Sequence, residues 1–182
     1  AKNEQTVIED CFQSAQWADE LILLDGGSID QTLKIAQKYK INIVLQEVKE
    51  EDYAAWHNQG KSAAHGQWIF YLDADERMTP ELQKEMQGVI RPPAGRAGDI
   101  QYVAYAIPRQ NVLLGKAMRF GGWYPDYQIR LFFKNNLKKW EGKLHEGPVF
   151  EGELGYLKNP MTHLTHRDLS TMAEKTKKWS TI

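Results

Sequence analysis

Cysteine is almost absent from this 182-residue chain: Cys11 stands alone, which excludes an internal disulfide framework and fits a reducing compartment. No run approaches the ~20 apolar residues needed to span a bilayer, and the first residues are polar, unlike those of a signal peptide. Excess charge of either sign is missing as well. A net charge of −1 leaves no broad electrostatic footprint for nucleic acid, so no nucleic-acid partner is expected. There is no internal repeat and no low-complexity segment. These absences point to a soluble, cytoplasmic protein, long enough for one domain with a sizeable core or one core with a small appendage. Aromatics, by contrast, are plentiful. Several of the six tryptophans and eight tyrosines lie near glycines in the second half. An aromatic face beside a loop can hold a sugar or a base, although core packing accounts for most such residues.

The first half alternates helical and extended patterns. Val7, Ile8, Cys11, Phe12 and Ala15 recur at helical spacing, and Leu21-Ile22-Leu23-Leu24 then reads as a short buried strand ending at Asp25. The turn Gly26-Gly27-Ser28-Ile29-Asp30 leads into a helix with Leu33, Ile35, Ala36 and Tyr39 on its apolar side. Residues 41–48 are β-branched enough for a second strand, and residues 52–65 are Ala-rich and helical, with Gly66 as the stop. A third strand over 68–72 precedes a helix over 80–89, to which Thr79 and Pro80 supply the N-cap and first turn. This rhythm predicts a parallel sheet with helices on both faces. Pro92, Pro93, Gly95 and Gly98 end the alternating half. Beyond them, residues 102–108 and 128–134 read as strands around the connection Phe120-Gly121-Gly122-Trp123-Tyr124-Pro125-Asp126-Tyr127. A short segment carries Leu144-His145-Glu146, and a basic helix covers 169–179.

The third strand is the most informative, because its continuous apolar run ends in the carboxylates Asp73 and Asp75. Such a run suits a strand buried on both faces, and ligands of open α/β sheets bind beyond the carboxyl ends of strands. Side chains two apart on an extended segment point the same way. Two like charges side by side repel unless a cation lies between them, and oxygen ligation suits a hard divalent ion such as Mg²⁺ or Mn²⁺. The alternative is a loop with solvated acids that cap the next helix, a cap Thr79 and Pro80 already provide. Asp25, at the tip of the first strand, is expected in the same crevice. Gly26 and Gly27 permit close backbone approach, while Ser28 and Asp30 offer hydrogen bonds at a helix start. Taken alone, that segment is better explained by an ordinary glycine turn with Asp30 as N-cap. No third glycine completes a dinucleotide-binding fingerprint.

Together these pieces resemble glycosyltransferase family 2, the inverting nucleotide-sugar enzymes of the A-type fold. The matching stretches are Lys2-Asn3-Glu4, Trp17-Ala18-Asp19-Glu20, Asp25-Gly26-Gly27-Ser28-Ile29-Asp30-Gln31-Thr32, Asn58-Gln59-Gly60 and Leu72-Asp73-Ala74-Asp75-Glu76. Within the family the chain is most similar to the lipopolysaccharide-core β-1,4-glucosyltransferase group, through Gly121-Gly122-Trp123-Tyr124-Pro125-Asp126, Arg130-Leu131-Phe132 and His145-Glu146. It departs from the usual pattern at Gly26, Ile29, Gln31 and His57. The resemblance implies a Rossmann-like, mostly parallel α/β sheet flanked by helices, plus a smaller mixed acceptor-side subregion. Residues 1–98 would form the nucleotide-sugar-binding half and residues 99–182 the acceptor-side half with the terminal helix. It also implies a strand before Lys-Asn-Glu, so ~5–10 residues of Val, Ile or Leu character are expected ahead of Ala1.

The implied chemistry is transfer of a hexose, glucose from UDP-glucose foremost, to a saccharide or lipid-linked saccharide acceptor. Asn3, Glu4, Asp25 and Asp30, with Gly27, Ser28, Asn58 and Ala74, would hold the uridine diphosphate sugar. Asp73 would face ribose or metal, and Asp75 would ligate the ion bridging the diphosphate, with His145 or else His163 or His166 completing the shell. Arg130 would steady the diphosphate. Trp123, Tyr124 and Trp140 are candidates for an acceptor platform. The base that deprotonates the acceptor is expected to be Glu146, with Asp126 second. Two rivals remain: a haloacid-dehalogenase-like phosphatase, whose motif also ends a strand in Asp-x-Asp, and a sugar-nucleotide-binding protein without turnover. The terminal helix, with Lys175, Lys177 and Lys178 beside Leu169, Met172 and Trp179, offers peripheral contact with an anionic membrane, at its inner face, or is an ordinary amphipathic helix.

Overall fold

Four apolar residues at positions i, i+3, i+4 and i+7, Ile8, Cys11, Phe12 and Ala15, form the buried stripe of the first helix in the computed structural model. The structure describes residues 1–39, 41–45, 52–91, 101–142 and 146–166, together with 169, 172, 173 and 177. That helix, α1 (Ile8–Ala15), is followed by β1 (Ile22–Asp25), α2 (Thr32–Lys38), β2 (Asn42–Leu45), α3 (Tyr53–Ala63), β3 (Trp68–Phe70), β4 (Glu76–Arg77) and α4 (Pro80–Ile90). The second half comprises β5 (Ala104–Leu113), β6 (Lys116–Ala117), β7 (Asp126–Phe133), β8 (Leu137–Glu141), β9 (Gly147–Phe150), β10 (Leu154–Tyr156) and β11 (Met161–His166). The Asp52 carboxylate caps α3 through Ala55 N, and the Thr79 hydroxyl accepts from Leu82 N at the start of α4, as expected of these residues.

β5 is the spine of the largest sheet. β7 pairs with it antiparallel along one edge, while β10 and β11 run parallel to it, on its first and second halves. β3 joins the far side of β7, antiparallel, and β4 joins β11. β1 and β2 form a parallel pair of their own. Among the described residues, then, β1 and β3 are not hydrogen-bonded neighbours, contrary to the expectation that parallel pairing brings their tips together. Ala1 lies between these tips instead. Its nitrogen donates to Leu24 O at 2.6 Å and its carbonyl accepts from Gly26 N at 2.8 Å, a parallel bridge to Asp25. Because Leu21 O accepts from Asn42 in β2, the alternation of backbone groups puts Ala1 on the edge of β1 opposite β2. Ala1 and Ala74 pack against the same cluster of Ile8, Phe12 and Leu23, which brings the turn after β3 to the side of β1 where Ala1 lies.

The apolar run at β3 is explained by what covers it. Trp68 and Phe70 pack on a cluster containing Leu82 and Met86 of α4, while Ile69 and Tyr71 pack on one containing Ala54 of α3. A strand sandwiched between two helices has no solvent face, hence the lack of alternation. Burying a side chain such as Leu82, fully inaccessible here, contributes about 1.5–3 kcal/mol. Pairing with β7 persists one step past the strand through Tyr71 N to Arg130 O at 2.9 Å, and then the chain breaks away to present Asp73 and Asp75. Among the described residues no helix is long and apolar enough to cross a membrane. Of the terminal basic segment only 169, 172, 173 and 177 are described, with helical backbone; Lys175, Lys178 and Trp179 lie outside the described residues.

Candidate active site

The segment between β3 and β4 folds back on itself because Glu76 pins both ends. Its amide donates to Asp73 O at 2.9 Å and its carboxylate accepts from Asp73 N at 3.0 Å. That carboxylate is wholly buried, lying 3.0 Å from Arg130 Nη2 and 3.5 Å from Arg109 Nη1. Burial, followed by the negative charge of Asp73, pushes the Glu76 pKa up against the pull of the two guanidinium groups. Arg130 also bonds the Asp73 carboxylate, so it bridges the two acids. Crowding around Asp73 opposes its ionisation although half of the side chain faces solvent; Arg130 outweighs this and the repulsion of Asp75, holding the Asp73 pKa below the ordinary value. Arg130 is 8% exposed and committed to these carboxylates. In this arrangement its guanidinium joins the Asp73 and Glu76 carboxylates.

Asp75 faces the other way. Its carbonyl accepts from Leu164 N at 2.8 Å, which ties it to β11, and its Oδ2 lies 3.6 Å from His163 Nε2. Among the described residues no group of three or more His, Cys, Asp or Glu side chains is arranged to hold a metal, so this site offers a pair of protein ligands. Two such ligands suit Mg²⁺ or Mn²⁺, ions commonly held by one or two protein groups while substrate phosphates and water fill the remaining positions. The separation exceeds a hydrogen bond yet lies within the reach of two ~2.1 Å metal bonds. His145, the first expectation for this role, lies outside the described residues. His166 pairs its backbone with Leu113.

Around Asp126 the bonding is dense. Oδ2 accepts from Arg109 Nε at 2.8 Å, Arg109 Nη2 at 2.6 Å and Asn111 Nδ2 at 3.2 Å, and Oδ1 accepts from Gln128 Nε2 at 2.8 Å. Burial works against ionisation, but these donors prevail and hold its pKa below the usual aspartate range. A carboxylate so engaged is a weak base toward an acceptor hydroxyl. Since the folded-state pKa lies below the unfolded one, the unfolded chain takes up the proton first as pH drops. The stability this provides is complete above the ordinary ~3.9 and drains as pH falls through the lowered folded value. Thermal melts from pH 6 toward 3 are expected to show a smaller loss of Tm in Asp126→Asn than in the parent.

Glu146 stands just before β9, partly buried, and acts on the same imidazole as Asp73. That imidazole is His57, stacked on Trp140 at 4.1 Å between ring centroids. Burial lowers the His57 pKa, opposed by the Tyr53 carbonyl bonded to Nδ1 and by the charges of Asp73 and Glu146. Trp140 is 6% exposed and part of the core, not an acceptor platform, whereas Trp123 keeps 38% of its surface open and Tyr124 is partly exposed.

The turn after β1 is held from within. Asp25 is inaccessible, its Oδ2 accepting from Gly27 N at 2.9 Å and Ser28 N at 2.8 Å and its Oδ1 from Ser28 Oγ at 2.5 Å. Gly27 adopts φ 82°, a region costly for other residues. Residues 3–5 are stitched to this turn. Asn3 N donates to Ser28 Oγ at 2.9 Å, Asn3 Oδ1 accepts from Ile29 N at 2.9 Å, Glu4 N donates to Thr32 Oγ1 at 2.8 Å and Gln5 N to Asp30 Oδ2 at 3.1 Å. Asp25 therefore holds the turn together, with both oxygens bonded. The Asn58 amide makes reciprocal bonds to the backbone of Trp140, at 2.9 and 2.8 Å, and braces α3 against β8. Ala74 packs beside the Ile8, Phe12 and Leu23 cluster.

Glu76, Arg109 and Asn111 are the residues that sequence reasoning missed. A signal existed. Arg109 and Asn111 are polar residues two apart in a strand otherwise mostly apolar, the same i, i+2 spacing that singled out Asp73 and Asp75.

Against known proteins, the fold is that of the A-type glycosyltransferases. A crystal structure of Staphylococcus aureus TarS residues 1–349 in complex with UDP superposes with a TM-score of 0.55 at 18% identity, covering 74% of this chain and 45% of that one. The family model described as Glycosyl transferase family 2 matches residues 1–149, and the chain belongs to that family. Over 192 aligned residues it is 23% identical to the lipopolysaccharide core biosynthesis glycosyltransferase LpsC of Rhizobium meliloti, covering 99% of this chain and 66% of LpsC. It is also 35% identical over 116 residues to a TPR repeat-containing protein of Synechococcus elongatus, covering 63% of this chain and 27% of that protein. The chain thus spans between about a quarter and two thirds of these relatives' lengths.

Proposed function

We propose that this chain is an inverting hexosyltransferase that moves glucose from UDP-glucose to a saccharide or lipid-linked saccharide acceptor. In this reading residues 1–98 bind the donor and residues 99–182 supply the acceptor side. The observation that carries it is the Asp75–His163 pair at the end of the acidic strand, with Asp73 oriented beside it by Arg130. Asp75 and His163 are the residues to hold Mg²⁺ or Mn²⁺, whose chemistry when bound is Lewis-acid neutralisation of the departing diphosphate. Glu146 takes the proton of the acceptor hydroxyl. The acceptor oxygen then bonds to the anomeric carbon from the face opposite UDP, the carbon–oxygen bond to the diphosphate breaks, and its electron pair leaves on UDP. Displacement from the opposite face inverts configuration. The LpsC likeness supports a saccharide acceptor, and the UDP named in the TarS complex supports the donor's base.

A thermal-shift screen of UDP-, GDP- and TDP-sugars with and without Mn²⁺ tests the donor. UDP-sugars alone are expected to stabilise the chain, by about 2.7 kcal/mol at a ligand concentration one hundred times Kd. Stabilisation by GDP- or TDP-sugars in place of UDP-sugars would refute the assigned base.

A further inference from the structure

His163 reaches Asp75 with only one of its two ring nitrogens, and which nitrogen carries the proton is dictated from behind. Nδ1 lies 2.6 Å from Asn111 Oδ1. Asn111 is 4% exposed, near the C-terminal end of β5, and is registered opposite His163 of β11. The other end of its amide lies 3.0 Å from the Trp123 carbonyl and 3.2 Å from Asp126 Oδ2. A carbonyl can only accept. Asp126, held ionised by Arg109, can also only accept. The amide end facing both must therefore be the NH₂ group, and the end facing His163 must be the oxygen. An amide oxygen requires a donor, so Nδ1 carries the hydrogen. In the neutral imidazole Nε2 is then left with its lone pair, and Nε2 is the atom 3.6 Å from Asp75 Oδ2.

We propose that Asn111, clamped by Asp126 and the Trp123 carbonyl, is a positioning residue that fixes His163 as the Nδ1–H tautomer and so directs an electron pair from Nε2 toward a divalent ion shared with Asp75. The inference rests on the metal reading of the site and deepens it. In the neutral imidazole, Nε2 and the Asp75 carboxylate are two electron-pair donors facing one another across 3.6 Å, and a cation between them would draw on both. Histidine ligands to metals commonly donate their remote N–H to a fixed acceptor, and loss of that acceptor typically lowers metal affinity 10–100-fold. The arrangement also gives Asp126 a role other than base: through Arg109 and Asn111 it connects the buried Glu76 to the imidazole, so both sides of the Asp73–Asp75 turn are held by one bonded series.

Two measurements on the whole chain test this. Long-range ¹H–¹⁵N NMR at pH 8, without metal, reads the tautomer of His163 directly and is expected to show Nδ1–H in the parent. Mn²⁺ titration in the presence of UDP, followed by electron paramagnetic resonance of the free ion, is expected to show a 10–100-fold weaker affinity in Asn111→Leu. The tautomer of His163 in Asn111→Leu, read by the same NMR measurement, is expected to lose its preference for Nδ1–H, a spectroscopic change that a merely structural role for the amide would not produce. An Nε2–H tautomer in the parent overturns the proposal, and that result needs no variant to fold. Parental affinity in Asn111→Leu overturns it too. A parent that binds no Mn²⁺ yet shows Nδ1–H overturns the proposal by removing the metal reading itself, a failure separable from a wrong tautomer.

Discussion

Asp75→Ala is expected to lose all Mn²⁺-dependent stabilisation by UDP while the ligand-free chain remains folded. Asp75 raises the cost of ionising Asp73, so its removal relieves repulsion at the turn. The backbone contact that anchors the position, Leu164 N to Asp75 O at 2.8 Å, does not involve the side chain. The lost stabilisation is the full linkage term, about 2.7 kcal/mol when ligand stands at one hundred times Kd in the parent. Thermal melts of parent and variant, each with UDP, with Mn²⁺ and with both, measure it. A variant that responds to the combination as the parent does would remove Asp75 from the site. Loss of the folded transition without ligand would instead make Asp75 a structural residue.

Glu146→Gln is expected to lower the rate of sugar transfer by ~10²–10⁴-fold with UDP affinity retained, because proton abstraction requires a carboxylate at the acceptor and the donor contacts lie elsewhere. Asp126→Asn is the control. Its carboxylate is occupied by Arg109, Asn111 and Gln128, so the variant is expected to alter stability and the His163 surroundings more than the proton-transfer step. Transfer rates and UDP affinities of both variants decide the matter. A near-parental rate in Glu146→Gln beside a collapse in Asp126→Asn, with Mn²⁺ affinity intact, would return the base role to Asp126.

The bonding of Asp126 also shows why a carboxylate near an aromatic glycine turn is hard to interpret from sequence. Its neighbours along the chain are Pro125 and Tyr127, but the groups that determine its chemistry are Arg109 and Asn111, on the antiparallel partner strand or bonded across it. Asn58 is similar. On α3 it reads as a polar residue beside a glycine, and only the approach of β8 turns its amide into a brace.

By itself, the sequence determined the features set by local periodicity and local charge. The stripe of α1, the cap at Thr79, the doubly buried run at β3 and the projection of Asp73 and Asp75 beyond it follow from residues within a few positions of one another. Only the tertiary structure decided which groups share a proton or a charge. Glu76 lies against Arg130 and Arg109, His163 faces Asp75 because β11 joins β4, and Asn111 meets His163 because β11 also runs parallel to β5. Those pairings span 33 to 88 residues along the chain, as the numbering of each pair shows. Electrostatic and hydrogen-bonding interactions act at a few ångströms through space, so the pairing of strands far apart in the chain, and their register, selects the partners.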